Sequence, residues 1–446
     1  MKTQVSPYIY VALSTIVLWL LFDIYIWSAF GLSLSVYYTY KLVRDMGKTI
    51  PILDLMIVMA ALQWIVGAYI EYNNDVTHYK YKMYVDEQTY MSYIVPAVFA
   101  FGIGINIFKN NFNLNEIGLR AATLLKSNPK LPYILIVVGL TAPFLVGLFP
   151  NSLRFIFFII ANIKYIGVIY LLFSGNSNRW LIFGIIFSLT AASSIASGMF
   201  HDLLLWAMLF FTFVTHILKM KMPLKIAVFI VGIITATTIQ SVKHEYRAIV
   251  WGGKYSGNKV ALFANLAINQ WRTGGIVTPS SDEDVNVRLN QGWIISAILK
   301  HVPEKESYAS GGTVIDAIYA SIVPRIIDKN KPIAGGQENF RKYTGLELGE
   351  GTSMGISLAG EGYANFGRMG GVIFMFVWGL FISWFWKKLI DLSIYYPTLL
   401  IWSPILFLQV VKAETELVVV LNHLIKSAVL VFTLLWAIKK YIGIRI

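Results

Sequence analysis

Five arginines lie between residues 243 and 365, each beside aromatic or small residues: Arg247, Arg272, Arg288, Arg325 and Arg341. A guanidinium group can donate to two phosphate oxygens at once, and it stays protonated in proteins. A single arginine is often only solvated, or reaches towards lipid headgroups. Five in one segment favour an anionic ligand. Arg325 has the most rigid context, because Pro324 precedes it and the turn from Asp328 to Pro332 follows.

Glu361 lies between two glycines, about one turn before an apolar stretch that begins near Phe366. The glycine-rich run lets backbone amides approach a ligand closely at a helix N-terminus. Partial burial would fit the Glu361 carboxylate for proton transfer. A carboxylate that caps a helix and interacts with its dipole explains the same position equally well.

Three histidines are further candidates for a base. His201 stands with Asp202 at the junction of two apolar stretches, where a polar pair is costly and therefore suggests a use. His244 and His301 lie in the arginine-rich segment. The chain has no cysteine and no His-x-x-x-His or Glu-x-x-His pattern, so the sequence gives little support for a metal site or any other cofactor.

The composition places these residues in a membrane protein. Hydrophobic residues make up 57% of the 446 positions and charged residues only 14%, and the mean hydropathy is +0.62. A soluble domain of ordinary composition is far more polar.

The apolar stretches predict an all-α polytopic membrane protein of about 12 transmembrane helices. Residues 8–42 are too long for one crossing, and Asp23 interrupts them, so we expect two short helices there. Ten further spans are predicted near residues 51–71, 92–108, 133–149, 152–174, 179–199, 202–220, 223–242, 366–387, 395–411 and 418–438.

Basic residues mark alternate loops of this pattern and account for the net charge of +13. They are Lys41, Arg44, Lys48, Lys109, Arg120, Lys126, Lys130, Arg179, Lys219, Lys221, Lys225, Lys387, Lys388, Lys439, Lys440 and Arg445. By the positive-inside rule this face and both termini are expected in the cytoplasm. The charge therefore indicates topology rather than a nucleic-acid partner.

Three regions follow from this pattern. Residues 1–242 are predicted to form a membrane bundle of about nine spans, and residues 366–446 about three more. Residues 243–365 contain no long apolar run and form one large external loop, with short amphipathic helices over the membrane domain. A long insertion of this kind commonly carries function.

The layout and one motif resemble a known family, the bacterial O-antigen and oligosaccharide repeat-unit polymerases of the Wzy class. The motif is GTSMGISLAGEGYANFGRMGG at residues 351–371, a Gly-Glu-aromatic-Asn-Phe-Gly stretch before a late transmembrane helix. The topology resembles the family over the whole chain, and the motif-level likeness covers roughly residues 321–371.

The resemblance implies a metal-independent, GT-C-like glycosyltransferase in the bacterial inner membrane, with the large loop in the periplasm. Such an enzyme transfers a glycan from undecaprenyl pyrophosphate to a lipid-linked repeat unit, and a chain-length regulator is a possible partner. Arginines would stabilise the pyrophosphate leaving group, and Arg325 and Glu361 are the best matches to the family's late-loop patterns. The base would be Glu361, His201, His244 or His301, and aromatic side chains such as Tyr363 could stack on sugar rings.

Three alternatives remain at this stage. An O-antigen ligase has the same architecture and donor but transfers the glycan to lipid A core or protein, and His301 keeps that hypothesis open. A lipid-linked glycan transporter would have buried basic residues along many spans and short loops. A non-catalytic scaffold would leave the arginine and glycine contexts unexplained.

Overall fold

The computed structural model describes residues 7–74, 81–109, 112–150, 153–253, 255–272, 289–325, 327–328, 330–332, 337–349 and 352–446. These residues fold into helices and their connections, and one isolated bridge between Met46 and Thr49 is the only β-type pairing found among them. The protein is an α-helical multi-pass membrane protein.

Eight helices in the described part of the chain are long and apolar enough to cross a membrane. They are α3 (Ile52–Tyr72), α4 (Glu87–Ile107), α6 (Leu131–Leu148), α7 (Arg154–Phe173), α8 (Arg179–Ser197), α10 (Met222–Trp251), α15 (Leu358–Leu392) and α17 (Leu417–Ile442). The remaining helices are α1 (Pro7–Phe22), α2 (Ile26–Asp45), α5 (Leu114–Ser127), α9 (His201–Ile217), α11 (Lys259–Arg272), α12 (Gly292–His301), α13 (Gly312–Ile322), α14 (Glu338–Thr344) and α16 (Ser403–Phe407).

The structure supports eight of the twelve predicted spans. Helices α1 and α9 are shorter than the roughly 20 residues that a bilayer crossing takes. Helix α2 is long enough, but its serines and tyrosines make it too polar to qualify. Residues 395–411 form only a 3-10 turn and α16, both fully buried in protein. An apolar run that is buried by protein on all sides looks the same in sequence as one that faces lipid.

The regional counts change accordingly. Six of the eight candidate spans begin before residue 242, where about nine were predicted, and two lie at the C-terminal end, where about three were predicted. Helix α10 continues past residue 242 to Trp251, and α15 begins at Leu358, before residue 365. Both helices therefore run across the expected limits of the external loop.

Helices α4 and α15 pack along each other through glycines. A Cβ atom added at Gly379 of α15 would lie 2.5 Å from the Phe101 carbonyl oxygen of α4. A Cβ atom added at Gly167 of α7 would likewise lie 2.6 Å from the Pro132 carbonyl oxygen of α6. Small residues let membrane helices approach closely, because lipid offers no hydrophobic force that pushes helices together.

Several connections that are predicted on the basic face lie together in space. The Leu114 amide donates to the Lys48 carbonyl at 2.9 Å, and Arg120 donates to the Ser393 carbonyl at 3.2 Å. Lys225 donates to the Met46 carbonyl. We call this end of the molecule the basic face and the opposite end the outer face.

The outer face carries α12 to α14 and a hydrophobic cluster of its own around Trp293, Ile298 and Phe340. Residues Gly292–Leu299 of α12 are all buried. Just before α12, the Gln291 amide donates to the Gln63 carbonyl at 3.0 Å. Gln63 lies in a π-helical turn of α3, which leaves backbone groups available for such outside partners.

Candidate functional site

Arg325 follows the end of α13 in a turn that side chains hold in place. Asp328 accepts bonds from the Tyr319 hydroxyl at 2.9 Å and from the Asn330 amide at 2.8 Å. The buried Lys331 donates to the Ala320 and Val323 carbonyls and so caps the C-terminal end of α13. Arg325 itself is exposed, and it forms no ion pair with the described residues.

Arg325 and Lys331 lie within electrostatic range of each other in this turn. Burial lowers the pKa of Lys331, and the nearby Arg325 charge lowers it further. The Asn330 amide and the Tyr319 hydroxyl hold the pKa of Asp328 below its usual value, so the carboxylate remains ionised at neutral pH. These contacts stabilise the turn that carries the exposed guanidinium of Arg325.

Lys426 of α17 is a third cation near this turn. It lies within electrostatic range of Arg325 and Lys331. Its ammonium group is 5.2 Å from the ring centroid of Phe155, and among the described residues it has no hydrogen-bond or ion-pair partner. A half-buried cation without a carboxylate is costly, which favours an anionic ligand. We call Arg325, Lys331 and Lys426 the cation cluster.

His201 stands at the start of α9 beside residues of the segment before α17. Its Nδ1 atom is 3.6 Å from Glu414 Oε1, and the neighbouring Asp202 forms a 2.9 Å ion pair with Lys412. Its Nε2 atom is buried and has no hydrogen-bond partner in the described part of the chain. A base needs one ring nitrogen beside a carboxylate and one that can reach its substrate. His201 has Glu414 beside Nδ1 and a side chain that is 34% exposed, although the Nε2 atom itself is covered.

His423 and Phe155 lie between the cation cluster and His201. The His423 ring meets the Phe155 ring edge-on, with centroids 5.7 Å apart. Lys412 and Asp202 are within electrostatic range of His423, while the Phe155 ring also contacts Lys426. The Phe155 ring therefore contacts both Lys426 and His423, and His423 lies within electrostatic range of the Asp202 and Lys412 pair beside His201.

Glu361 is buried and binds other helices through both of its carboxylate oxygens. Oε1 accepts from the Thr313 hydroxyl of α13, and Oε2 accepts from the Leu417 amide at the start of α17, both at 2.7 Å. Asn365 extends the network, since it donates to the Thr313 hydroxyl at 2.7 Å and accepts from the Gly311 amide at 3.0 Å. Glu361 therefore joins the N-terminal ends of three helices.

This geometry favours the capping interpretation of Glu361, although the cap belongs to α17 rather than to its own helix. A base must reach the proton that it removes, whereas the Glu361 side chain is only 1% exposed.

Tyr363 lies on the same short segment, before the break in α15 at Gly367. Its ring packs against Tyr93 and Tyr308, with centroids 5.2 and 6.3 Å away. Gly367 has φ +66° and ψ −166°, a conformation that glycine alone adopts readily. Tyr363 is half-buried and is held between two tyrosines.

Arg247 takes part in a cap at the end of α8. Its Nε atom donates to the Gly198 carbonyl at 2.8 Å, and its guanidinium stacks 4.5 Å from the Trp251 ring. The three preceding carbonyls of α8 accept from Tyr246, Lys259 and Trp251. Side chains of α10 and α11 thus satisfy the last carbonyls of α8, as a helix end in an apolar environment requires.

The other predicted residues are not gathered with Arg325. Arg341 of α14 pairs with Glu347 at 3.0 Å, and Arg272 is exposed at the end of α11. His301 ends α12, where its ring packs directly against Gly345. Arg288 lies outside the described residues.

Of the predicted residues, Arg325 and His201 are the two that stand beside further charged groups that suit a reaction. Lys426, Glu414 and Lys412 complete their surroundings. From the sequence alone, Lys426 suggests a proton or ion path because it lies within an apolar span, and Glu414 falls at the outer end of a helix where it could line a cavity below the external loop, whereas Lys412 was not predicted.

No family model matches the chain, and neither a curated protein nor a solved structure is detectably similar to it. The relationship to the polymerase family therefore remains a prediction from the motif and the layout.

Proposed function

We propose that this protein is a polysaccharide polymerase that transfers a glycan from undecaprenyl pyrophosphate to a lipid-linked repeat unit. In this proposal it is a GT-C-like enzyme of the bacterial inner membrane, with its outer face in the periplasm. The observation that carries the proposal is the pair Arg325 and Lys426, two cations within electrostatic range of each other that form no ion pair with a carboxylate within 4 Å among the described residues.

The cation cluster suits a pyrophosphate leaving group. Breaking the bond between a sugar and pyrophosphate places negative charge on the departing oxygen, and fixed cations stabilise that charge. Because Lys331 is held by two carbonyls, Arg325 and Lys426 are the groups that would contact the phosphates.

The surroundings of the cation cluster suit a lipid-linked substrate. Helix α13 packs small residues against α17 and leaves Ile315, Ile318 and Ile322 largely exposed. An apolar surface beside fixed cations matches a molecule that carries an anionic head on an apolar tail.

His201 is the base in this mechanism, with Glu414 orienting its ring. The acceptor hydroxyl gives its proton to Nε2 of His201 while its oxygen attacks the anomeric carbon of the donor sugar. The bond between that carbon and the pyrophosphate oxygen breaks, and undecaprenyl pyrophosphate leaves with the bonding electrons. Glu414 stabilises the imidazolium that forms.

The first test is the glycan banding pattern of cells that lack this protein, with and without complementation. A polymerase predicts that the ladder collapses to core bearing one repeat unit, because ligation continues. Loss of every repeat from the core, with accumulation of long lipid-linked polymer, would show a ligase instead. An unchanged pattern would contradict both.

Complementation with variants tests the site. We expect Arg325→Ala and Lys426→Gln each to reduce long-chain polymer about 100-fold, because each removes a charge that stabilises the leaving group. Arg341→Ala is the matched control, since this exposed arginine already pairs with Glu347, and it should leave the ladder unchanged. Wild-type ladders from both Arg325→Ala and Lys426→Gln, with normal protein levels, would remove the site assignment.

A further inference from the structure

A long groove runs between α6, α7 and α17, on the half of the molecule near the basic face. Its volume is about 510 Å³, within the range of small-molecule sites. Aliphatic side chains form its walls, among them Leu135, Val138, Ile163, Leu430 and Leu434. The groove is therefore shaped and lined for an alkyl chain.

The polar residues of the groove are gathered at one end. Ser127, Asn128 and Lys130 line it where α5 meets α6. Lys130 is exposed and forms no ion pair within the described part of the chain. Lys439 and Lys440 directly follow the groove residue Ile438 on α17, so this end is positively charged.

We infer that the groove binds an anionic phospholipid of the leaflet at the basic face. One acyl chain lies along the aliphatic walls, and the headgroup phosphate binds Lys130, with Ser127 and Asn128 as hydrogen-bond donors. Basic pockets between membrane helices on this side of a bilayer are suited to anionic headgroups. This inference does not depend on the proposed glycan transfer.

The position of the polar end favours a phospholipid over the tail of the lipid-linked donor. Lys426, Leu430, Leu434 and Ile438 are spaced four residues apart and lie along one side of α17. A donor held at Lys426 would direct the apolar end of its tail towards Ser127, Asn128 and Lys130, and an apolar end gains nothing from such polar and charged groups. A phospholipid headgroup at Lys130 satisfies them and leaves its chain in the apolar part.

Native mass spectrometry of the delipidated full-length protein tests this site with two probes, phosphatidylglycerol and phosphatidylcholine with the same acyl chains. The wild-type protein should bind phosphatidylglycerol about fivefold more tightly, the effect of one basic residue at a membrane surface. Lys130→Gln should abolish that preference. Leu434→Trp should fill the groove and weaken binding of both lipids at least about tenfold.

Two matched variants control for charge and bulk. Lys221→Gln removes another cation of the basic face, and Leu181→Trp adds a ring to the exposed side of α8; both should bind lipid as the wild type does. Lys130 is exposed, so its variant tests the inference even where Leu434→Trp fails to fold.

Three results would overturn the inference. The first is unchanged lipid preference in Lys130→Gln. The second is displacement of the bound phospholipid by undecaprenyl pyrophosphate, which would assign the groove to the donor tail. The third is a changed oligomeric state in Leu434→Trp with unchanged lipid binding, which would assign it to a second copy of the chain.

Discussion

Glu361 holds a different helix with each of its carboxylate oxygens. Thr313 belongs to α13 and Leu417 begins α17, while Glu361 itself lies at the start of α15. A residue in this position acts on stability first, because its removal leaves the buried Thr313 O–H and the buried Leu417 N–H without an acceptor.

Substitution of Glu361 separates its two possible roles. Glu361→Ala should lower the free energy of unfolding by about 2–4 kcal/mol, measured as a lower melting temperature in detergent. Glu361→Gln keeps the shape and one of the two bonds, so we expect a smaller loss and a retained glycan ladder. A Glu361→Gln protein that melts like the wild type but makes no polymer would restore the proton-transfer role.

The sequence predicted residue types better than it predicted their partners. Arg325 and His201 were singled out from their type and context, and their roles remain predictions. Glu414 and Lys412 could not be assigned to His201 and Asp202, because the pairs meet only in the folded chain; Asp202 and Lys412 are 210 residues apart. Arginine is a suitable residue type for binding phosphate. Arg247 instead donates to the Gly198 carbonyl at the end of α8, a contact that no local sequence pattern reveals.

At the scale of helices, the glycine contacts between α4 and α15 set how closely the two can approach. A methyl group at Gly379 would collide with a backbone carbonyl, which cannot move aside as a flexible side chain could. Gly184 of α8, in contrast, has no atom within 4 Å of an added Cβ.

These two glycines form a matched pair for a stability test. Gly379→Ala should destabilise the protein by about 1–3 kcal/mol, because the two helices must separate. Gly184→Ala should be neutral or stabilising by up to about 1 kcal/mol, because alanine favours the helical conformation and its Cβ atom contacts no neighbouring atom. Thermal unfolding in the same detergent measures both, and equal melting temperatures would contradict the packing argument.

The prediction of membrane spans succeeded where an apolar run forms one helix of at least about 18 residues. Each of the eight candidate spans coincides with a predicted one. It failed at residues 395–411, where Leu400, Trp402 and Phe407 are apolar because the protein itself surrounds them. Hydropathy reports the composition of a segment but does not show whether protein or lipid surrounds it.

For the whole molecule, the absence of cysteine makes the topology directly measurable. We expect Ser177→Cys, in the exposed connection between α7 and α8, to react with an impermeant maleimide only after the cells are opened. Ser256→Cys, exposed between α10 and α11, should react in intact cells that have a permeable outer membrane. Labelling of both positions from the same side would refute the predicted arrangement.

The pairing of α4 with α15 also dictates an order of assembly during synthesis. Tyr93 of α4 bonds the Ala359 carbonyl of α15 at 2.6 Å, across 266 residues of chain. At about 5–20 residues per second, a ribosome takes roughly 13 to 53 s to make that intervening chain. For that time the glycine-lined side of α4 has no partner from its own chain, so lipid or an insertion factor must shield it. The newly made protein is consequently most exposed to quality-control proteases before α15 emerges.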